Sequence, residues 1–202
     1  MIKKGISFLS LAIAASLIAF LIGASRDVPA ASDHALYVTS TSLEDLAARS
    51  SIIAIGAVGT GQPTIRQIQG RDPNNPSKPD PGFIGVGSVY QVAVERYLKG
   101  SGDNTLSVVQ FESVIRDHRG QMKELRRREA DFPLTQGTRY LLFLRPQAQA
   151  PDLLIGTAQP ARFVLSSGLA RVESPAEDMA RLFPDSSEAD LIARVGNIVN
   201  GG

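Results

Sequence analysis

Phe83-Ile84-Gly85-Val86-Gly87-Ser88-Val89-Tyr90-Gln91-Val92-Ala93-Val94-Glu95 is the stretch that decides the fold class. Ile84, Val86, Tyr90, Val92 and Val94 recur at every second position, and Ser88 is the only polar member of that row. The opposite row holds Gly85, Gly87, Gln91 and Glu95. A period of two sends successive side chains to opposite faces, so the stretch predicts a long, half-buried strand. Gly85 and Gly87 share a face and are where such a strand is expected to bend, as strands do in small barrels.

Further strands follow on both sides. Ile52 to Val58 is an apolar, β-branched run of strand length, and Thr105 to Phe111 returns after the turn Leu98-Lys99-Gly100-Ser101-Gly102-Asp103. Tyr140 to Leu144 is apolar on both faces and predicts a central strand, and Leu153 to Ile155 a short one. Arg162–Leu165 and Leu169–Val172 flank Ser166-Ser167-Gly168, which reads as a hairpin turn. Helical spacing is confined to the two ends. Ser42 can cap a short helix whose buried stripe is Leu43, Leu46 and Ala47. Leu191, Ile192, Val195, Ile198 and Val199 form the second stripe, with Asp185 and Ser186 as expected caps and Asn200-Gly201 as the stop. The fold expected is mainly β: a small OB-like barrel with a short N-terminal helix and a C-terminal amphipathic helix.

Residues 59–82 interrupt the pattern. They hold Pro63, Pro73, Pro76, Pro79 and Pro81 and almost no large apolar side chain, and are expected to form an extended, solvated loop, because proline lacks a ladder donor.

The N-terminus reads as a targeting segment. Lys3 and Lys4 precede 20 uncharged residues from Gly5 to Ala24, and the next charge is Arg26. Val28-Pro29-Ala30 offers a cleavage site, yet the apolar run is also long enough to span a bilayer. Residues 1–30 are therefore a signal peptide or an N-terminal membrane anchor, and residues 31–202 a single exported domain. Both readings place that domain in the cell envelope or beyond it: secreted, periplasmic or on the outer face of the cytoplasmic membrane. Membrane contact is expected only through residues 5–24, if they are retained.

Charge narrows the partners. The chain of 202 residues carries 21 Lys and Arg against 20 Asp and Glu. Without residues 1–30, which hold three basic groups and one acid, 18 basic and 19 acidic groups remain. A near-neutral domain lacks the positive surface that nucleic acid requires, so no nucleic-acid partner is expected. Zero cysteine removes thiol nucleophiles, cysteine-bound zinc and disulfides.

Leu43-Glu44-Asp45-Leu46 running into Ser50-Ser51-Ile52-Ile53-Ala54-Ile55-Gly56-Ala57-Val58 forms a helix-then-strand opening. With Tyr90-Gln91-Val92-Ala93-Val94-Glu95-Arg96-Tyr97-Leu98-Lys99-Gly100, Phe132, and Gly137-Thr138-Arg139-Tyr140-Leu141-Leu142-Phe143-Leu144, it resembles small exported bacterial proteins with an OB-like barrel. That group is distantly similar to the inhibitory domain of tissue inhibitors of metalloproteinases, and the resemblance spans roughly residues 42–172. It implies the fold. The inhibitors act through an N-terminal cysteine that chelates the target's zinc; this chain has none, so that mechanism does not transfer.

Candidate sites are few. His34 and His118 stand more than 80 residues apart without metal-ligand spacing, so no metal and no cofactor is expected. Gly87-Ser88-Val89-Tyr90 and Ser166-Ser167-Gly168 both fail the GxSxG elbow, and Gly85-Val86-Gly87 lacks the rest of a phosphate cradle. No catalytic residue is assigned.

Arg116-Asp117-His118-Arg119-Gly120-Gln121-Met122-Lys123-Glu124-Leu125-Arg126-Arg127-Arg128-Glu129-Ala130-Asp131 has six cations and four anions. It reads either as an acidic-group clamp or as a solvated helical turn in which Glu124 pairs with Arg128. The expected function is a non-catalytic, exported binding module for an envelope or extracellular protein or peptide. Its contact residues would be Pro63, Arg66, Arg71, Pro76 and Pro79 of the proline stretch, and Arg116, Arg119, Arg126, Arg127 and Arg128 of the arginine segment. The alternatives are an envelope hydrolase built on Ser88, Asp117 or Glu95, and a structural envelope protein with no discrete ligand.

Overall fold

The structure is a computed structural model that describes residues 39–72, 75–116, 122–127, 133–174 and 178–201. Among the described residues, ten strands and three helices follow in the order α1 (Leu43–Arg49), β1 (Ile52–Val58), β2 (Thr64–Asp72), β3 (Asn75–Lys99), β4 (Thr105–Arg116), β5 (Met122–Arg127), β6 (Arg139–Gln147), β7 (Ala150–Gly156), β8 (Arg162–Ser166), β9 (Leu169–Val172), α2 (Asp178–Leu182), β10 (Ser186–Ser187) and α3 (Glu188–Asn200). The fold is mainly β, with helices near both ends of the described chain.

Five strands close a ring. β1 pairs with β3 and β6, β3 with β4, β4 with β7, and β7 with β6. Every pairing in the ring is antiparallel except β4 with β7. β8, β9 and β10 continue the sheet from β6. Gly56 lies where the β1–β3 register shifts; a Cβ there would stand 2.6 Å from the Ala93 carbonyl oxygen, so only glycine lets the two backbones meet.

The apolar runs of β1 and β6 are explained by burial on both faces. Ala54, Val58, Tyr140, Leu142 and Leu144 turn into the ring, where they meet Tyr90, Val92, Leu106, Val108 and Leu154. Ile53, Ile55, Leu141 and Phe143 turn outward against Leu46 of α1, Met179 of α2, and Leu191 and Val195 of α3. Phe163 bridges this layer, edge-on to Phe143 at 6.0 Å and to Phe183 at 5.8 Å.

The ends of the helices match their chemistry. The Ser42 hydroxyl accepts from the Asp45 amide at 3.2 Å, and the Lys99 ammonium donates to the Ala47 carbonyl at 2.6 Å, supplying a cation to the end of α1. In α3 the cap is Ser187, which accepts from the Asp190 amide at 3.0 Å, rather than the expected Asp185 or Ser186. The turn Ser166-Ser167-Gly168 is a hairpin as expected: Ser167 and Gly168 have φ of 53° and 75°, the pair of positive values that a tight turn between twisted strands demands.

Two expectations are corrected. Residues 59–82 are not a loop: β2 occupies 64–72, and β3 begins at Asn75 instead of Phe83. The prolines are tolerated because β4 pairs with β3 only from Val86 onward, which leaves residues 75–85 with β2 as their ladder partner. There the register is interrupted between Gln69 and Arg71 and again before Asp72. Proline costs least at an edge or bulge, where no donor is needed. The arginine segment is not a helical turn either, since Met122–Arg127 is strand β5, paired antiparallel to β4. The pairing proposed for Glu124 with Arg128 lies outside the described residues.

Candidate functional site

β2 pairs with β3 and β5 pairs with β4, so β2, β3, β4 and β5 form one four-stranded extension of the ring. In it Gln67 lies opposite Val86, Val86 opposite Glu112, and Glu112 opposite Arg127. The proline stretch, as β2 and the start of β3, and the arginine segment, as β5, are separate in sequence and meet at this row, beyond which residues 75–85 pair with β2 and residues 113–116 with β5.

Most expected contact residues fall on this extension. Pro63 is half-buried just before β2, and Arg66 is an exposed side chain within it. Arg71 of β2 lies opposite Pro79 of β3, and Pro76 also belongs to β3. Arg116 ends β4 opposite Met122, while Arg126 and Arg127 lie opposite Ser113 and Glu112. Arg119 and Arg128 lie outside the described residues, as do His34, His118, Asp117 and the segment 5–24.

Arg66 is engaged. Its guanidinium donates through Nη1 to Asp152 Oδ2 and through Nη2 to Oδ1, the second at 3.4 Å. This hydrogen bond holds the Asp152 carboxyl below its ordinary pKa. Asp152 belongs to β7, which β3 and β4 separate from β2 in the sheet. β2, β3, β4 and β7 therefore curl over the face turned away from the ring interior. Ile68, Val89, Val109, Ala150 and Leu153 fill that concavity, with Phe111 and Ile155 at its margin. Asp152 carried no local signal in the sequence, because its partner lies 86 residues away.

The glycines of β3 serve this packing. A Cβ on Gly85 would meet Phe111 Cε1 at 2.9 Å, and one on Gly87 would meet Val109 Cγ2 at 2.5 Å. They leave room for neighbours on β4.

Two side chains named for hydrolysis are accounted for by packing and charge. Ser88 is buried in β3 between Ile65 of β2 and Gln110 of β4. Glu95 accepts from Arg139 Nε at 2.9 Å and Nη2 at 2.8 Å, and this lowers its pKa. A general acid needs the opposite shift. Arg139 also reaches both carboxylate oxygens of Glu188, at 3.1 and 3.2 Å, so one guanidinium ties the first turn of α3 to β3 and β6; both carboxylates raise its own pKa.

Among the described residues no group of three His, Cys, Asp or Glu is placed to hold a metal ion. No helix among them is long and apolar enough to cross a membrane. The chain matches no family model, no curated protein and no solved structure.

Proposed function

We propose that this chain is a non-catalytic binding module, exported to the cell envelope, that engages a protein or peptide through the β2–β3–β4–β5 extension. The observation that carries the reading is the topology: two segments that look unrelated in sequence, the proline stretch as β2 and the start of β3 and the arginine segment as β5, are joined through the Val86–Glu112 pairing of β3 with β4. Arg71, Arg116, Arg126 and Arg127 lie along that sheet, and a guanidinium offers a planar pair of donors to an acidic group. Glu95, held by Arg139, and Ser88, buried, supply no acid or exposed nucleophile for the hydrolase alternative.

We read the ring as OB-like. In support, it has five strands, and its third and fifth members in chain order, β4 and β7, close it in parallel. OB-like folds bind through varied surfaces, so the fold alone names no partner. A protease-inhibitory role remains one version of this proposal. Export rests on Lys3, Lys4 and the uncharged run 5–24. The test is chemical cross-linking of the native-level protein in its own cell envelope, read by mass spectrometry. A partner recovered near stoichiometry, and lost in the Arg126→Glu/Arg127→Glu variant, is the expected result. Recovery of nothing above background overturns the reading.

A further inference from the structure

The two ends of α3 are held by different means. At its start, Arg139 of β6 reaches both carboxylate oxygens of Glu188, and the Ser187 hydroxyl accepts from the Asp190 amide. At its end, no basic side chain stands in the last turn to meet the terminal carbonyls. Ile198 and Val199 pack against the core there, while Asn197, Asn200 and Gly201 are exposed. The Gly201 amide donates to the Asn197 carbonyl at 2.9 Å and closes the turn. Glycine fits this position without displacing its neighbour, whereas a Cβ would stand 2.9 Å from that same carbonyl oxygen.

The glycine that closes the turn carries a chemical liability for the residue before it. The backbone nitrogen that follows an asparagine can attack the side-chain Cγ and close a five-membered ring, and it does so most readily when its own residue has no side chain in the way. The chain has five asparagines, at 74, 75, 104, 197 and 200. Asn200 alone is followed by glycine; the others precede Asn75, Pro76, Thr105 and Ile198. We infer that Asn200 is a site of spontaneous deamidation, gated by fraying of the last turn of α3. The reasoning stands apart from the partner proposed above. While the turn is closed, the Gly201 N–H is committed to Asn197 and Asn200 is fixed in helical backbone. When the turn opens, the Gly201 nitrogen gives its proton to solvent base and bonds to Cγ, the Cγ–NH2 bond breaks, and ammonia leaves. Water then opens the cyclic imide at either carbonyl, giving aspartate or isoaspartate. Both products place a carboxylate at the negative end of the helix dipole, where no basic side chain of the last turn offsets it. Conversion therefore favours the open turn.

The purified full-length chain in mild detergent is incubated at neutral pH beside the same chain unfolded in urea, and both are followed by peptide mass spectrometry. In the folded chain Asn200 is expected to convert ahead of Asn104 and Asn197, which are also exposed, and to yield isoaspartate together with aspartate. Unfolding should speed conversion at least about fivefold, the worth of one net hydrogen bond. Asn200→Asp, which installs the charge directly, should quicken amide exchange at Gly201 about two- to fivefold after correction for intrinsic rates. An intact Asn200 while Asn104 converts, equal rates in the folded and unfolded chain, or aspartate without isoaspartate overturns the inference. So does a Gly201 exchange rate indifferent to Asn200→Asp.

Discussion

Arg66 of β2 meets Asp152 of β7 across the outer face of the two strands that lie between them in the sheet. The pair is exposed on both sides, so its Coulomb energy is screened and its weight lies in geometry. It closes the mouth of the concavity that Ile68, Val89, Val109, Ala150 and Leu153 fill, and so ties the edge strand to the ring.

Replacing Asp152 with Asn should therefore loosen β2 without unfolding the ring. Amide hydrogen exchange is expected to quicken at Gln67, Ile68 and Gln69 and to stay unchanged at Leu141 and Leu142 of β6, which is buried on both faces. Uniform acceleration along the chain would show that the pair supports global stability instead.

Acid should weaken the fold through the carboxylates whose pKa the folded state lowers, among them Asp152, Glu95 and Asp45. Asp152 is held low by hydrogen bonding to Arg66, Glu95 by Arg139, and Asp45 by the Ser40 hydroxyl first and Arg49 second. A carboxyl with a depressed folded pKa contributes its full stability above its unfolded value, about 4, and loses it as pH falls through the folded value. Urea midpoints should be level from about pH 5 to 7 and drop below about pH 4. In Glu95→Gln the drop should be shallower, and an unchanged slope would contradict the assignment to Glu95.

Gly87→Ala should destabilise by about 1–3 kcal/mol, the range for overpacking a filled interior. The added Cβ would stand 2.5 Å from Val109 Cγ2, with the Gln110 carbonyl oxygen at 3.1 Å. Combining it with Val109→Ala should recover part of that loss, measured as a non-additive double-mutant cycle in denaturant. Strict additivity would mean the two side chains do not collide.

Phe163→Ala should cost about 3–5 kcal/mol, as for other fully buried aromatics. Phe163 is 3 % exposed and stacks edge-on between Phe143 of β6 and Phe183 just after α2. Loss of helical signal before sheet signal on heating would place the damage at the helical layer.

What the sequence disclosed depends on how locally each element is specified. Tyr140–Leu144 and Ile52–Val58 read as strands because both faces are buried and the run is unbroken. α1 and α3 showed their stripes because Leu46 and Val195 each sit at the centre of a buried row. β2 and the start of β3 were hidden: Arg66, Gln67 and Gln69 are exposed, so hydrophobic periodicity vanished, and proline was tolerated where only one neighbour pairs. β5 was hidden by its charges, which made Met122–Arg127 look like a solvated helix. Of the candidate surface, the residue types were legible and their meeting on one sheet was not. That meeting depends on pairings such as Val86 with Glu112, which no local pattern encodes.

The most direct measurement is site-specific photo-cross-linking in intact cells, with the photoreactive residue at Lys123 of β5 or at the exposed Arg194 of α3. A binding module that works through the sheet extension should yield one discrete adduct from position 123 and none from 194. An adduct from 194 alone, or none from either position, would contradict the extension as the binding surface.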